Sequence, residues 1–148
     1  MKLRSVSPVI FLMLFAFGCK QPSNEIIFHK SHESKRQQVP YSDVVEGGGL
    51  LFLSGQIGMD HKTRTLVEGG IEAETKQCIE NIKAVLEHHQ SSLDNVVKCT
   101  VILRNIEDFA AFNKIYETYF PNKPARTTFA AAGLAADSRI EIDVIASK

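Results

Sequence analysis

The feature that most constrains this sequence is a strict alternation of side chains near the C-terminus. Within residues 139–146 the apolar side chains occupy every second position: Ile140, Ile142 and Val144. Two acidic residues, Glu141 and Asp143, lie between them. Because successive side chains of a strand point to opposite faces of its sheet, the pattern predicts a strand with one face buried in a core. The other face then presents two carboxylates.

A second strand-like run precedes this one. Residues 127–132 are small and β-tolerant, and Arg126 comes directly before them. If the two runs pair antiparallel, Arg126 and Glu141 approach each other near the rim of the sheet. The arginine fork can bind a substrate carboxylate through two parallel hydrogen bonds, and a nearby glutamate can orient a water. The pair indicates a site for a small, anionic, hydrolysable metabolite; a solvated cross-strand ion pair is the alternative.

The remaining periodicity predicts a single α+β domain in the order β-β-α-β-α-β-β. Apolar residues at helical spacing predict helices over residues 71–89 and 106–120. Asn105 is the predicted N-cap of the second helix, with Asp108 in a capping-box-like position. Glycines at 47–49 predict a tight reversal between the first two strands. The other strands are predicted at residues 41–45, 50–57 and 96–104.

Two helices can cover only one face of a sheet of this size. The strands also have apolar residues at consecutive positions, so both faces of the sheet carry apolar side chains that must be kept from water. These residues include Leu51, Leu53, Val101 and Leu103. Burial of the second face against further copies of the chain is the simplest solution, so self-association is predicted.

Charge and cysteine usage limit the classes of partner. The 148 residues carry 17 basic and 17 acidic side chains, so the formal net charge is zero and no nucleic-acid partner is expected. Cys78 and Cys99 are predicted to be buried thiols, a disulfide being the alternative. No Cys or His spacing is typical of zinc, so no metal or cofactor is expected. The histidines are predicted to lie on the surface: His29, His32, His61, His88 and His89.

Residues 1–19 are typical of an export signal. Lys2 and Arg4 form a positive start, and residues 6–17 form an apolar run too short to span a bilayer comfortably. Cys19 follows a glycine, as in a bacterial lipobox, where the cysteine is lipidated and becomes the new N-terminus. This predicts a periplasmic or surface lipoprotein held at the membrane by its lipid. A plain secretory signal, or a mispredicted start before a cytosolic protein, is the alternative.

Residues 20–38 separate this signal from the domain, which is predicted over 39–148. They are polar apart from an apolar patch at 26–28. The composition predicts a flexible linker, and the patch alternatively predicts a first strand-like contact.

Four motifs in order resemble the Rid family, also called the YjgF family. They are VPYSDVV at 39–45, LFLSGQIGMD at 51–60, EDFAAFNKIYETYF at 107–120 and PARTTF at 124–129. The resemblance covers residues 40–146. It implies a chorismate-mutase-like α+β fold assembled as a homotrimer, with a central barrel-like core and three clefts between subunits.

The resemblance also implies a reaction. Family members hydrolyse reactive 2-imino acids, released by pyridoxal-phosphate enzymes, to 2-keto acids and ammonia. On that basis Arg126 is expected to bind the substrate carboxylate, as the planar guanidinium suits. Glu141 is expected to position the attacking water or to carry protons to the departing ammonia.

The same resemblance implies five further binding residues. Tyr41 is expected to close the pocket, Ser54 and Gly55 to bring backbone close to the ligand, and Asn113 to form a hydrogen bond near the site. Thr128 stands where many members have cysteine, so a thiol nucleophile is not expected. GLAADS at 133–138 replaces the family's Leu-Pro element, which changes the loop near the arginine.

Three functions remain open from the sequence. The first is an imine deaminase acting in the intersubunit clefts. The second is a non-catalytic trimeric module that binds a small 2-imino or 2-keto carboxylate in the same cleft. The third is a ribonuclease or translation inhibitor, which the neutral charge and the export signal disfavour. A carboxylate beside the arginine favours the first, because a pure binder needs the arginine alone.

The lipobox predicts that the mature chain carries lipid on Cys19. Labelling of expressing cells with radioactive palmitate should mark the wild type and leave Cys19→Ala unmarked, since the thiol is the acceptor. Equal label in both proteins, or none in either, would contradict the prediction.

Overall fold

The structure, a computed structural model, describes residues 25–148. Cys19 and the predicted signal lie outside the described residues. The two α-helices are α1 (Gly70–His88) and α2 (Phe109–Tyr119). The strands, in chain order, are β1 (Ile27–His29), β2 (Val44–Gly47), β3 (Leu50–Leu53), β4 (Gln56–Ile57), β5 (Met59–Asp60), β6 (Thr65–Leu66), β7 (Val96–Leu103), β8 (Ala125–Ala130) and β9 (Ile140–Ser147). Within the described part neither helix has the length and apolar content needed to cross a bilayer.

Seven strands form the main sheet, and both helices lie on one face of it. The strand order is β1-β2-β3-β9-β7-β8, with β4 also paired to β9, while β5 and β6 form a separate small hairpin. The alternation predicted for β9 is confirmed, because Ile140, Ile142 and Val144 are buried. The predicted reversal between β2 and β3 is also confirmed, with Gly48 and Gly49 at positive φ.

The predicted antiparallel pairing of the two C-terminal strands is wrong. β9 pairs antiparallel with β7, and β8 pairs with the other edge of β7 in parallel. The helical crossover through α2 returns the chain to the end where β7 began, so the next strand runs in the same direction. β7 therefore separates the strand that carries Arg126 from the strand that carries Glu141.

The first helix buries the stripe that its periodicity predicts, whereas the second buries Phe112 and Tyr116 and leaves Phe109 exposed. All seven predicted core positions of α1 are buried: Ile71, Thr75, Cys78, Ile79, Ile82, Val85 and Leu86. The capping prediction for α2 is wrong, because a 3₁₀ turn at Ile106–Asp108 precedes the helix and the side chain of Asn105 makes no cap hydrogen bond. Asp108 instead accepts two hydrogen bonds of 3.2 Å from the guanidinium of Arg139.

Part of the predicted linker is folded into the domain. β1 pairs antiparallel with β2, and a 3₁₀ turn at Ser34–Arg36 follows it. Arg36 is buried, with Nη2 2.8 Å from Oδ1 of the buried Asp43, and Nη1 donates a hydrogen bond of 3.0 Å to Oε1 of Gln56. This corrects the linker prediction for residues 20–38, because the stretch from β1 onward supplies both a strand and a buried charge.

The sheet face opposite the helices has no cover within the described residues. The four apolar residues named for this question, Leu51, Leu53, Val101 and Leu103, in fact lie under the helices and are buried. The open face instead exposes about half of the surface of three large apolar side chains: Phe52 (41%), Val97 (49%) and Phe129 (46%). Exposed aromatic side chains on a sheet face are typical of an interface with another chain.

The buried ion pair of Arg36 and Asp43 yields a stability prediction. Asp43→Ala should lower the free energy of unfolding by roughly 3–5 kcal/mol, because it leaves a guanidinium buried without its counter-charge. Denaturant unfolding followed by circular dichroism, at one fixed protein concentration, measures the change.

Glu87→Ala is the matched control for this measurement. Glu87 lies 3.9 Å from Lys83 in an exposed pair on α1. Its removal should cost less than about 1 kcal/mol, because solvent screens such pairs. An Asp43→Ala loss no larger than the Glu87→Ala loss would contradict the proposed contribution of the buried pair.

Candidate functional site

One cavity of about 430 Å³ brings together four of the predicted site residues. Tyr41, Ser54, Gly55 and Glu141 all line it. Ser54 is fixed on both sides, since its amide donates to the carbonyl of Asp43 (3.0 Å) and its hydroxyl to the carbonyl of Ser42 (2.6 Å). Tyr41 is half exposed at the mouth, where its ring can cover a ligand.

An irregularity of the sheet places this cavity beside Glu141. Four residue steps from Phe52 to Gln56 face only three steps from Ile145 to Ile142 on β9, so one extra residue is inserted between β3 and β4. Such bulges re-aim side chains next to functional sites. A Cβ atom at Gly55 would overlap the carboxylate of Glu141, so the backbone and the carboxylate are this close only because residue 55 is glycine.

The carboxylate of Glu141 is half buried and makes no hydrogen bond or ion pair with any residue in 25–148. Burial, and next the like charge of Asp143, raise the pKa of this carboxyl above its ordinary value of 4.5. A glutamate with a raised pKa can accept and return a proton nearer to neutral pH than an ordinary one. Glu141 is therefore the candidate acid–base group of the cavity.

The cavity also contains residues that the sequence analysis did not assign to a site. Arg36 and Gln56 form its polar wall, and His61 and Arg64 reach it from the turn between β5 and β6. Burial, and next the positive charge of Arg36, lower the pKa of His61 below 6.5, so its imidazole is neutral at pH 7. Of these four residues, only Gln56 lies beside predicted site residues, because it follows Ser54 and Gly55 in the sequence. Arg36 lies in the predicted linker, His61 was predicted only to lie on the surface, and no sequence pattern distinguished Arg64.

Arg126 lies apart from this cavity, on the edge strand β8. Its guanidinium carbon is 4.6 Å from the ring centroid of Tyr116, 5.2 Å from that of Phe112 and 5.7 Å from that of Phe109. Cation–π contacts of this kind hold a guanidinium in place without neutralising it. Among the described residues Arg126 forms no ion pair, so its charge remains available to a ligand.

Asn113 and Thr128 accompany Arg126. Both carry a buried polar oxygen without a hydrogen-bond partner, Oδ1 of Asn113 and Oγ1 of Thr128, in the chain as described. The hydroxyl of Tyr116 is a third such atom; burial, and next the Cys99 thiol, raise its pKa, so it stays protonated. Unsatisfied buried polar atoms around a cation are typical of a site that awaits a ligand or a partner.

The seven predicted site residues therefore form two half-sites on opposite faces of the sheet. Residues paired across adjacent strands point to the same face of the sheet. Arg126 is paired with Cys99, whose side chain points to the helices, whereas Glu141 is paired with Ile102, which points to the other face. The expected meeting of Arg126 and Glu141 within one chain does not occur. In physical terms, the central strand and the alternation of side chains keep the two groups apart.

None of the five histidines is buried, which agrees with the predicted surface positions. Four of the five pack together, with ring centroids 4.6 Å apart for His29 and His89, 4.7 Å for His32 and His88, and 5.2 Å for His88 and His89. His61 lines the cavity. Within the described part of the chain no group of three or more His, Cys, Asp or Glu is arranged to hold a metal ion.

Fold and half-sites together define a small α+β domain with a cavity that contains a carboxylate and, on another face, an edge strand that carries an arginine. The chain belongs to the Rid family: residues 32–148 match the family profile described as Endoribonuclease L-PSP.

The similar proteins include both named enzymes and proteins known by family alone. A RutC family protein of Saccharolobus solfataricus is 47% identical over 125 residues, 84% of this chain and 98% of the relative. The human 2-iminobutanoate/2-iminopropanoate deaminase is 44% identical over 108 residues, 72% of this chain and 79% of the relative.

Solved structures share the fold. A Rid family protein from Yersinia pestis has a TM-score of 0.78 at 34% identity, over 84% of this chain and 100% of that chain. TdcF of E. coli, solved with bound serine, has a TM-score of 0.70 at 29% identity, over 74% and 89%. These structures bear out the α+β fold, and the family match bears out the resemblance drawn from the four motifs.

Proposed function

We propose that this protein hydrolyses 2-imino acids to 2-keto acids and ammonia, in a homotrimer whose active sites lie between copies. The observation that carries the proposal is the division of the site into two incomplete halves within one chain. One half has a proton-transfer group in its cavity but lacks the arginine that is expected to bind the substrate carboxylate. The other half has that arginine, with unsatisfied polar atoms around it, on a strand whose outer edge is open.

The open sheet face explains how the halves combine. Glu141 lies on that face, and the exposed Phe52 and Phe129 lie on the same face. Burial of these side chains against another copy brings a second chain next to Glu141. Because β8 is an edge strand, its Arg126 is at the border of such an interface. Three copies in cyclic symmetry then give three equivalent sites.

The geometry supports a simple hydrolysis. Arg126 of the partner subunit binds the C1 carboxylate, which orients the C=N bond towards Glu141. The imine reacts in its protonated form: Glu141 takes a proton from a water as the water oxygen bonds to C2 and the C=N π electrons move to nitrogen, which gives a neutral carbinolamine. Glu141 returns the proton to nitrogen, the C–N bond breaks as the hydroxyl at C2 becomes a carbonyl, and the remaining hydroxyl proton passes to the departing ammonia. The iminium carbon thus becomes a keto carbon, and ammonium is released.

The similar proteins support this chemistry over the alternatives. Three mammalian relatives at 41–45% identity are named 2-iminobutanoate/2-iminopropanoate deaminases, and TdcF holds serine, a small amino acid. The family description names an endoribonuclease, but a chain with zero formal net charge has no overall basic bias towards an RNA backbone. A pure binding function requires the arginine but no carboxylate, whereas Glu141 lines the cavity without an ion-pair partner among residues 25–148.

Substitution of Arg126 tests the clamp. Arg126→Ala should lower kcat/KM on imines about thirty-fold to several thousand-fold, because a bidentate charge-assisted contact is lost. This corresponds to a rise of roughly 2–5 kcal/mol in the activation free energy. Arg126→Lys should also be poor, since an ammonium cannot form the fork. Glu141→Gln should bind a 2-keto acid nearly normally but turn over slowly. Keto-acid release above the spontaneous rate, from imines generated in situ, is the measurement.

Mixing of variants tests the division between copies. Arg126→Ala and Glu141→Gln subunits, co-refolded in equal amounts, should regain about a quarter of wild-type activity, because that fraction of sites pairs two intact halves in a symmetric ring. Light scattering of residues 20–148 should show a trimer. No recovery on mixing, or a stable monomer at micromolar concentration, would contradict a shared site. Full activity of Arg126→Ala, or binding of keto acids without turnover, would replace the enzyme proposal with another.

The raised pKa of Glu141 predicts the acid limb of the pH profile. Glu141 must be ionised to take a proton from water, so kcat/KM should fall as the pH drops through its pKa, which lies above 4.5. Asp143→Asn should move this limb to lower pH, because it removes the like charge that disfavours ionisation of Glu141. An unchanged or upward-shifted limb would show that a different group titrates; circular dichroism at each pH serves as the folding control.

A further inference from the structure

Within one chain the cavity around Glu141 measures about 430 Å³, and its lining extends beyond the groups assigned to proton transfer. Glu141 and the bulge at Gly55 occupy one part of its lining. The remainder includes the wall of Arg36 and Gln56, the turn between β5 and β6, Tyr41, and the turn at Ala135 and Ala136. This remainder decides which substrate side chains fit.

Arg64 is the available cation of this cavity. Arg36 is already neutralised by Asp43 and bonded to Gln56, and the imidazole of His61 is neutral at pH 7 because burial lowers its pKa. Arg64, by contrast, forms no ion pair and no side-chain hydrogen bond with any residue in 25–148. A guanidinium without a partner at a cavity wall attracts a carboxylate of the ligand.

The turn that carries Arg64 is ordered and conformationally costly. The amides of Lys62 and Thr63 donate to Oδ1 of Asp60 at 2.7 Å and 3.3 Å, and Nζ of Lys35 donates to the carbonyl of Lys62 at 2.8 Å. Arg64 itself has φ +66°, in the left-handed region that glycine adopts freely and arginine does not. The left-handed conformation also occurs at Gln90 and Lys123, so Arg64 is distinguished by its unpaired guanidinium in the cavity wall.

We propose that Arg64 binds a second carboxylate of the substrate, so that this protein prefers imines of dicarboxylic amino acids. This inference rests on the proposed deaminase function. Arg126 of the partner subunit binds the C1 carboxylate, Glu141 transfers protons at C2, and Arg64 binds the carboxylate at the far end of the side chain. Water and the iminium give a dicarboxylic 2-keto acid and ammonium, with the distal carboxylate unchanged. Arg64 is thus a specificity-determining residue.

The test compares two substrate classes in wild type, Arg64→Gln and Arg64→Gly. Amino-acid oxidases with catalase generate the imines of alanine and 2-aminobutanoate in one set, and of aspartate and glutamate in the other. Wild type should favour the dicarboxylic set, and in both variants the ratio of kcat/KM values should fall about 10- to 100-fold, the worth of one hydrogen-bonded charge. Rising salt should lower the wild-type ratio, because Arg64 is exposed.

Lys62→Gln is the matched control, since it removes the same charge two residues away, from a side chain that does not line the cavity. Its ratio should equal that of wild type. Arg64→Gly should melt no lower than wild type, because glycine relieves the strained φ, so its loss of selectivity cannot be ascribed to unfolding. A ratio unchanged in Arg64→Gln, a ratio equally lowered in Lys62→Gln, or a wild type that favours monocarboxylates would overturn the inference.

Binding measurements separate failure of this inference from failure of the proposed function. Calorimetric titration with 2-oxoglutarate and with 2-oxobutanoate requires no catalysis. If wild type hydrolyses no imine but binds 2-oxoglutarate more tightly through Arg64, the deaminase proposal fails and the dicarboxylate site stands. If imines are hydrolysed and neither turnover nor binding distinguishes the two classes, the deaminase stands and the role of Arg64 fails.

Discussion

The position of β7 between β8 and β9 determines how this molecule can work. The strand is bonded on both edges, parallel to β8 and antiparallel to β9, so the arginine strand and the glutamate strand never meet. Alternation of side chains then directs Arg126 towards the aromatic rings of α2 and Glu141 towards the open face. Neither group has a counter-ion in the described chain. In the proposed trimer a second copy at the open face supplies the missing half, so the proposed activity and the proposed assembly depend on the same surface.

Much of the fold follows from local patterns in the sequence. The alternation in β9 and the helical stripe of α1 each depend on burial of one face, which periodicity reports directly. Strand pairing was not predictable in the same way: the sequence patterns of β8 and β9 fit antiparallel neighbours as well as they fit two strands on either side of β7. Arg126 and Glu141 were indicated by the strand patterns, and the other five predicted site residues by the resemblance to family motifs, whereas the separation of the two half-sites depends on the topology.

Long-range polar contacts account for most of what the sequence analysis missed. Arg36 occurs in a segment of linker-like composition, and only the structure shows that its charge is buried against Asp43. The histidines at 29, 32, 88 and 89 come from two distant segments, and no spacing rule predicts that their rings pack together. Asp108 fits a capping box, yet a 3₁₀ turn replaces the predicted first helical turn and the carboxylate binds Arg139 instead.

The cavity is where this chain departs most from local structural preference. An extra residue interrupts the strand before Gln56, the backbone at Gly55 lies against a carboxylate, and Arg64 adopts a conformation suited to glycine. Natural sequences tolerate such conflicts mainly at functional sites, where the strained groups contact a ligand. The extra residue and Gly55 both bring the backbone close to Glu141, the group that the proposed hydrolysis requires. Arg64 places a positive charge where hydrolysis itself requires none, and the proposed selection of dicarboxylic substrates gives that charge a role.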